Sequence, residues 1–132
     1  MRILFVCSGN AYRSPLAEAL LKKLRPDLEV DSAGLRAVIP ISRQVREYLA
    51  KQNAAQYLKK TPQSIAEKKL GEYDLIVAME HVHRNAVLNV CPECETKIEE
   101  WNVEDPYFLE SEDAENIYVY IEKKVKELAK SL

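Results

Sequence analysis

The amino-acid sequence predicts an α/β protein built on an open, doubly wound sheet of four parallel strands with about five helices. Two observations carry this prediction. Short apolar runs alternate along the chain with amphipathic segments, and four of those runs read as strands. The length of 132 residues, with 47% hydrophobic and 30% charged residues, fits one domain over 1–132.

The predicted strands are these short apolar runs. We expect a buried first strand at Arg2–Val6, a second at Leu28–Ser32, a third at Asp74–Met79 and a short fourth at Lys97–Trp101. The third is the clearest of the later runs because it is rich in Ile, Val and Leu.

Helices are predicted between and after these strands. Ser14 can cap the first helix, Pro15 suits its first turn, where a missing N–H costs nothing, and Arg25-Pro26 ends it. The other expected helices are Ser42–Lys51, Pro62–Leu70, His81–Val90 and a C-terminal helix with apolar residues three or four apart from Ala114 to Leu128.

Composition and charge exclude several classes of function. The net charge of −2 leaves no general basic field that would bind nucleic acid or an acidic membrane. The first apolar run, Ile3–Val6, is too short for a signal peptide or a membrane span, so we expect a cytoplasmic protein. Three cysteines are an odd number, which leaves at least one thiol free for chemistry.

We expect a monomer, with a weak dimer as the alternative.

The loop after the first strand carries the most specific motif. It reads Cys7-Ser8-Gly9-Asn10-Ala11-Tyr12-Arg13-Ser14-Pro15 and leads into a helix. Ligands of doubly wound sheets bind at the carboxyl ends of strands, where this loop lies. Its backbone N–H groups would form an anion cradle, Gly9 and Asn10 tolerate left-handed turns, and Arg13 adds a planar fork for two oxygens. The predicted phosphate-binding residues are Ser8, Gly9, Asn10, Ala11, Tyr12, Arg13 and Ser14.

Cys7 is the candidate nucleophile. The positive field of the helix N-terminus and of Arg13 favours a thiolate, which would face a bound phosphoryl group. The Ser14 hydroxyl can donate a hydrogen bond to that thiolate and ease its departure later. The alternative is a buried strand-end cysteine beside a surface arginine, and the combination of strand, cysteine, arginine and helix argues against it.

Asp105 is the candidate general acid, because thiolate attack on a phosphate ester needs the leaving oxygen protonated. It lies in Val103-Glu104-Asp105-Pro106-Tyr107-Phe108, where Pro106 stiffens the loop and the two aromatic residues can line a cleft. An Asp-Pro pair is also typical of a plain turn before a helix, and the residues alone leave both interpretations open.

The segment Val6–Glu18 and the later Asp-Pro-Tyr together resemble the low-molecular-weight protein tyrosine phosphatases. Asp31–Gly34 and Asp74–Met79 also resemble segments of that family, in the same order, so the likeness spans nearly the whole chain. The resemblance implies a four-stranded parallel sheet, which we expect in the order 2-1-3-4. It also implies phosphorylated proteins, above all phosphotyrosine proteins, as substrates, and no metal or other cofactor.

The resemblance further implies roles for single residues. Cys7 forms a phosphocysteine intermediate, and Asp105 acts first as an acid and then as a base for water. Asn10 and Ser32, with Ser14, hold the loop in shape. Tyr12, Tyr107 and Phe108 are the expected substrate rim.

The sequence departs from this family at positions that influence substrate choice. Tyr12 stands where members often have a second cysteine that traps the nucleophile as a disulfide. Ala11 matches neither the tyrosine phosphatases nor the related protein-arginine phosphatases, and Leu35–Pro40 lacks the usual aromatic residue. Asp-Pro-Tyr favours phosphotyrosine, whereas Met79–His83 resembles the arginine enzymes, which stay the alternative.

Cys91-Pro92-Glu93-Cys94 leaves further alternatives open. Arsenate reductases of the same fold pass oxidising equivalents through two additional cysteines, although they lack the Asp-Pro-Tyr. The two cysteines could instead bind zinc with His81 and His83, or form a local disulfide. A phosphate-binding module without turnover is the alternative outside the enzymes.

Overall fold

A parallel sheet in the order β2-β1-β3-β4 forms the centre of the protein, as described by a computed structural model of residues 1–132. The strands are β1 (Arg2–Cys7), β2 (Glu29–Gly34), β3 (Leu75–Ala78) and β4 (Ile98–Glu100). All three pairings are parallel. The predicted α/β class, the four strands and their order are therefore confirmed.

Four α-helices connect and follow the strands: α1 (Arg13–Leu24), α2 (Arg43–Lys51), α3 (His81–Val90) and α4 (Ser111–Ser131). Short 3₁₀ turns lie at Ala55–Tyr57, Ile65–Glu67, Leu70–Glu72 and Pro92–Lys97. None of these helices has both the length and the apolar content that crossing a membrane requires.

Both faces of the sheet are covered, and β1 is buried on each. Ile3 and Phe5 point into a larger core shared with α1, α2 and α4, whereas Leu4 and Val6 point into a smaller one shared with α3. Successive side chains of a strand face opposite sides of the sheet. A strand that is buried on both faces is therefore apolar at every position. This explains why the first strand is a continuous apolar run.

The segment Pro62–Leu70 is not the predicted helix: it contains the 3₁₀ turn at Ile65–Glu67, and the next 3₁₀ turn begins at Leu70. Its main chain pairs with the end of β2 instead: the Gly34 N–H donates to the Gln63 carbonyl at 2.8 Å, and Gly34 and Ser64 form a parallel bridge. A backbone engaged with a neighbouring strand cannot also form the helical ladder.

We expect Ile121→Ala to destabilise the fold by about 3 kcal/mol, because it removes a fully buried side chain of α4 and leaves a cavity in the larger core. Val119→Ala is the matched control on the same helix, since Val119 is 53% exposed, and it should change stability by less than about 0.5 kcal/mol. Urea unfolding of both variants measures the difference. Equal losses would contradict this orientation of α4.

Candidate active site

The predicted loop lies at the carboxyl end of the sheet and lines a cavity of about 180 Å³. The chain leaves β1 for β2 on one side and later returns to β3 on the other, and such a switch point opens a crevice. Eight predicted residues line the cavity: Cys7, Ser8, Gly9, Ala11, Tyr12, Arg13, Asp105 and Tyr107. The structure adds Arg36, Val38 and Ile39 from the segment after β2.

Cys7 is the last residue of β1 and is almost completely buried. Its Sγ lies 2.8 Å from the Ser14 Oγ. The Asn10 Nδ2 already donates to that same oxygen at 2.8 Å, so the Ser14 hydroxyl proton is available to the sulfur. Ser14 is therefore not the helix cap that we predicted: α1 begins at Arg13, and the Ser14 side chain turns back to the loop.

Asn10 holds the loop in its curved shape from behind. It is fully buried and adopts a left-handed conformation with φ of 53°, whereas Gly9, the other candidate for such a turn, does not. Its Nδ2 donates to Ser14 and, at 2.9 Å, to the Ser32 hydroxyl of β2. Its Oδ1 accepts the Gln63 N–H at 2.8 Å. Ser14 and Ser32 thus lie where loop support was predicted, and Gln63 joins them.

A second layer of charged groups lies under this support. The Ser32 hydroxyl donates to the buried Glu18 carboxylate, which also pairs with Lys22. Lys59 donates to the Ser32 carbonyl at 2.8 Å. Burial lowers the pKa of Lys59, although the carboxylates of Glu18 and Asp31 act in the opposite direction. Sequence reasoning missed this network because its members come from three separate segments.

Arg13 is buried, and both terminal nitrogens of its guanidinium contact protein groups. Nη1 donates to the Glu80 carboxylate and, at 2.8 Å, to the Val103 carbonyl. Nη2 lies 3.3 Å from the Ser8 Oγ and 3.6 Å from an Asp105 carboxylate oxygen. Nε has no protein acceptor, and Nη2 has only these two longer contacts, so the Nε–Nη2 edge can donate to a ligand.

Asp105 lies in the loop after β4 with its side chain 44% exposed. One carboxylate oxygen accepts the Tyr107 N–H at 3.0 Å, which closes a local turn. The Asp-Pro pair thus makes a turn, and the Asp105 carboxylate also lines the cavity that holds Cys7, beside Arg13.

Two aromatic residues form one side of the cavity mouth. The rings of Tyr12 and Tyr107 meet edge to face with centroids 6.0 Å apart. Phe108 does not line the cavity: its ring meets that of Tyr107 edge to face with centroids 4.6 Å apart, and the residue is 90% exposed.

Glu80 and His83 are site residues that sequence reasoning missed in this role. Both follow β3, the strand beside β1 at the switch point, and that position is the signal that could have indicated them. His83 is fully buried, and its Nε2 lies 2.9 Å from the Ser8 Oγ. Burial, together with the positive charge of Arg13, lowers the pKa of His83 to about 4.

The four candidate zinc ligands do not converge. Cys91 and Cys94 form a disulfide in the smaller core. The His81 ring bonds the Glu100 carboxylate at 2.9 Å, whereas His83 faces Ser8. No group of three or more His, Cys, Asp or Glu side chains is arranged to bind a metal. Cys7 is the free cysteine.

Comparisons with known proteins agree with this geometry. The sequence model of the family described as low molecular weight phosphotyrosine protein phosphatase matches residues 2–132. Low molecular weight protein-tyrosine-phosphatase Wzb of Salmonella typhi is 33% identical, with 99% of this chain and 93% of that protein covered.

Solved structures with a similar fold include both tyrosine and arginine phosphatases. Vibrio vulnificus Wzb in complex with benzylphosphonate superposes with a TM-score of 0.86 at 30% identity, covering 99% of this chain and 98% of that one. The YwlE arginine phosphatase from Geobacillus stearothermophilus has a TM-score of 0.85 at 27% identity, covering 98% and 91%.

We expect Gly34→Ala to distort the loop. A Cβ at Gly34 would lie 2.6 Å from the Asn10 nitrogen and 2.8 Å from the Ser8 carbonyl oxygen, and backbone atoms cannot yield as a flexible side chain can. The variant should lose about 10-fold or more in affinity for inorganic phosphate and about 1–3 kcal/mol of stability. Calorimetric titration and urea unfolding measure the two effects.

Gly71→Ala is the matched control, because nothing lies within 4 Å of a Cβ built at Gly71. It should bind phosphate like the unaltered protein. Unchanged phosphate binding in Gly34→Ala would contradict the tight packing of the loop on β2.

Proposed function

Because the chain belongs to the low molecular weight phosphotyrosine protein phosphatase family, a family of cysteine-dependent hydrolases, we propose that it hydrolyses phosphotyrosine in proteins through a phosphocysteine intermediate at Cys7. One observation carries the proposal: the Cys7 thiol, the open edge of Arg13 and the Asp105 carboxylate line a single cavity. We also propose that the protein acts as a monomer in the cytoplasm, where reducing conditions keep the thiol available.

Substrate binding rests on the loop and Arg13. Backbone N–H groups at the N-terminus of α1 and the Nε–Nη2 edge of Arg13 receive the phosphate dianion. The bonds from Nη1 to Glu80 and Val103 set the plane of the guanidinium before the ligand arrives. These donors also stabilise the equatorial oxygens of the transition state without further reorganisation.

In the first chemical step the Cys7 thiolate attacks phosphorus. A sulfur–phosphorus bond forms while the bond to the ester oxygen breaks, and that oxygen takes a proton from the Asp105 carboxyl group. The product alcohol leaves, and the phosphoryl group stays on Cys7. Cys7 and Asp105 line the same cavity, which supports their acting on one bound ester.

In the second step water attacks the phosphocysteine. Asp105, now a carboxylate, takes a proton from the water, the sulfur–phosphorus bond breaks, and inorganic phosphate forms. The electron pair returns to Cys7 as a thiolate, which accepts the hydrogen bond from Ser14. No oxidant, reductant or metal enters either step.

An aromatic phosphate ester suits the cavity mouth. Tyr12 and Tyr107 form one side, and Val38 and Ile39 add apolar surface from the segment after β2. Ala11, which has a small side chain, also lines this cavity. The second candidate substrate is phosphoarginine, which the similarity to YwlE arginine phosphatase favours.

The redox alternative has less support. Arsenate reduction needs thiols that can reach the loop cysteine, but Cys91 and Cys94 bond each other in the smaller core. Cys7 belongs to the larger core and has Ser14, not a thiol, beside its sulfur.

We expect steady turnover of p-nitrophenyl phosphate and of a phosphotyrosyl peptide with a metal chelator present. Cys7→Ser should reduce both to background, because a serine hydroxyl is not ionised in this site. A phosphoarginine protein, assayed in parallel, should react at least about 10-fold more slowly in kcat/KM. A higher kcat/KM for the phosphoarginine protein would make phosphoarginine the substrate instead of phosphotyrosine. Turnover by Cys7→Ser would contradict the role of Cys7 as nucleophile.

We expect Asp105→Asn to slow the reaction in proportion to the basicity of the leaving group. For phenyl phosphate the first step should slow about 10²–10³-fold, whereas for a dinitrophenyl ester, whose leaving group needs no proton, it should slow less than about 10-fold. Burst kinetics across a series of substituted phenyl phosphates measures this. An equal loss for all esters would contradict the role as acid.

A further inference from the structure

His83 is a buried titratable group that the two chemical steps leave unused. It is fully buried at the start of α3, and its imidazole contacts Ser8 of the loop on one side and the backbone of Glu80 on the other. The side chain of Ser8 is itself exposed on the wall of the cavity. A buried ring that holds a hydroxyl of the binding loop raises the question of what that hydroxyl does.

The tautomer of His83 follows from its partners. The Glu80 N–H donates to Nδ1 at 3.0 Å, so Nδ1 carries no proton. Burial and Arg13 keep the ring neutral near pH 7 against the opposite effect of Glu80 and Asp105. The single ring proton is therefore on Nε2, and it is donated to the Ser8 Oγ at 2.9 Å.

The direction of the Ser8 hydroxyl proton follows from the donors that surround its oxygen. A hydroxyl oxygen accepts two hydrogen bonds and donates one. The two acceptor positions of the Ser8 Oγ are taken by His83 and, at 3.3 Å, by Nη2 of Arg13. No protein group accepts the proton of Ser8, which is left for a ligand in the cavity that Ser8 and Arg13 share.

We propose that His83 is a positioning residue that orients the Ser8 hydroxyl as a hydrogen-bond donor to the bound phosphoryl group. The proposal rests on the proposed function, because it assumes that phosphate occupies this cavity. Ser8 then adds a side-chain donor to the backbone N–H groups of the loop, beside the edge of Arg13. Without His83 the hydroxyl can rotate and use its proton elsewhere, so phosphate binds less tightly.

A purely structural role for His83 makes a different prediction. The bond from the Glu80 N–H to Nδ1 caps the start of α3, and a ring kept only for that purpose would be replaced best by asparagine. The carboxamide oxygen of asparagine reaches the position of Nδ1, but the side chain is too short for Ser8. Glutamine reaches the position of Nε2 and can donate to Ser8.

The test compares His83→Asn and His83→Gln in the full chain, with inorganic phosphate as the probe in calorimetric titration and as a product inhibitor. We expect His83→Asn to weaken phosphate binding about 10-fold and to raise KM for p-nitrophenyl phosphate similarly, with kcat changed less. His83→Gln should bind phosphate within about 3-fold of the unaltered protein. His81→Asn is the control, because His81 pairs with Glu100 on the surface.

Ser8→Ala completes a double-mutant cycle. It should weaken phosphate binding about as much as His83→Asn, and the double variant should lose no more than either single one, since both act through one hydroxyl. Additive losses, normal phosphate affinity in Ser8→Ala, or a loss in His83→Gln but not in His83→Asn would each overturn the proposal. Melting temperatures identify variants whose loss comes from misfolding.

The outcome is separable from that of the proposed function. If the unaltered protein binds phosphate but does not turn over esters, the catalytic proposal fails while the titrations still decide the role of His83. If it turns over esters and His83→Asn leaves the affinity for phosphate and KM unchanged, only the positioning role fails.

Discussion

The buried carboxamide of Asn10 is the contact on which the geometry of the site depends. Its three hydrogen bonds join the loop to the first turn of α1, to β2 and to the extended segment at Gln63. Because the residue is fully buried, each lost partner would leave an unsatisfied polar atom that costs about 1–3 kcal/mol. These bonds stabilise the left-handed conformation of Asn10, which lies in the loop that lines the cavity.

Fixed N–H donors determine the direction in which two hydroxyl protons of this loop point. Asn10 donates to Ser14, whose proton then faces the sulfur of Cys7, and His83 and Arg13 donate to Ser8, whose proton then faces the cavity. In the proposed function, hydroxyl groups oriented in this way serve both the nucleophile and the ligand. Because burial and Arg13 lower the pKa of His83 to about 4, its ring stays neutral near pH 7 and the orientation of the Ser8 hydroxyl holds there.

Sequence reasoning predicted what is local in the chain and missed what the sheet brings together. The loop from Cys7 to Ser14 is contiguous, so its motif is readable directly. Asp105 needed the family resemblance, because an Asp-Pro turn alone is ambiguous. Glu80 and His83 reach the loop only because β3 lies beside β1. The prediction of a helix at Pro62–Leu70 was wrong, because the pairing of this segment with Gly34 is a tertiary contact that overrides local helix propensity.

Tyr12 links two parts of the site that are distant in sequence. It occupies the position where members of this family often carry a second cysteine, so Cys7 has no neighbouring thiol in its own loop. The tyrosine ring instead meets Tyr107 of the loop that carries Asp105. Since the Asp105 carboxylate is tied to the Tyr107 N–H, a substrate ring that packs against the two tyrosines also contacts the loop that sets the position of the acid. In the proposed mechanism, substrate recognition and protonation of the leaving group therefore act through one structural unit.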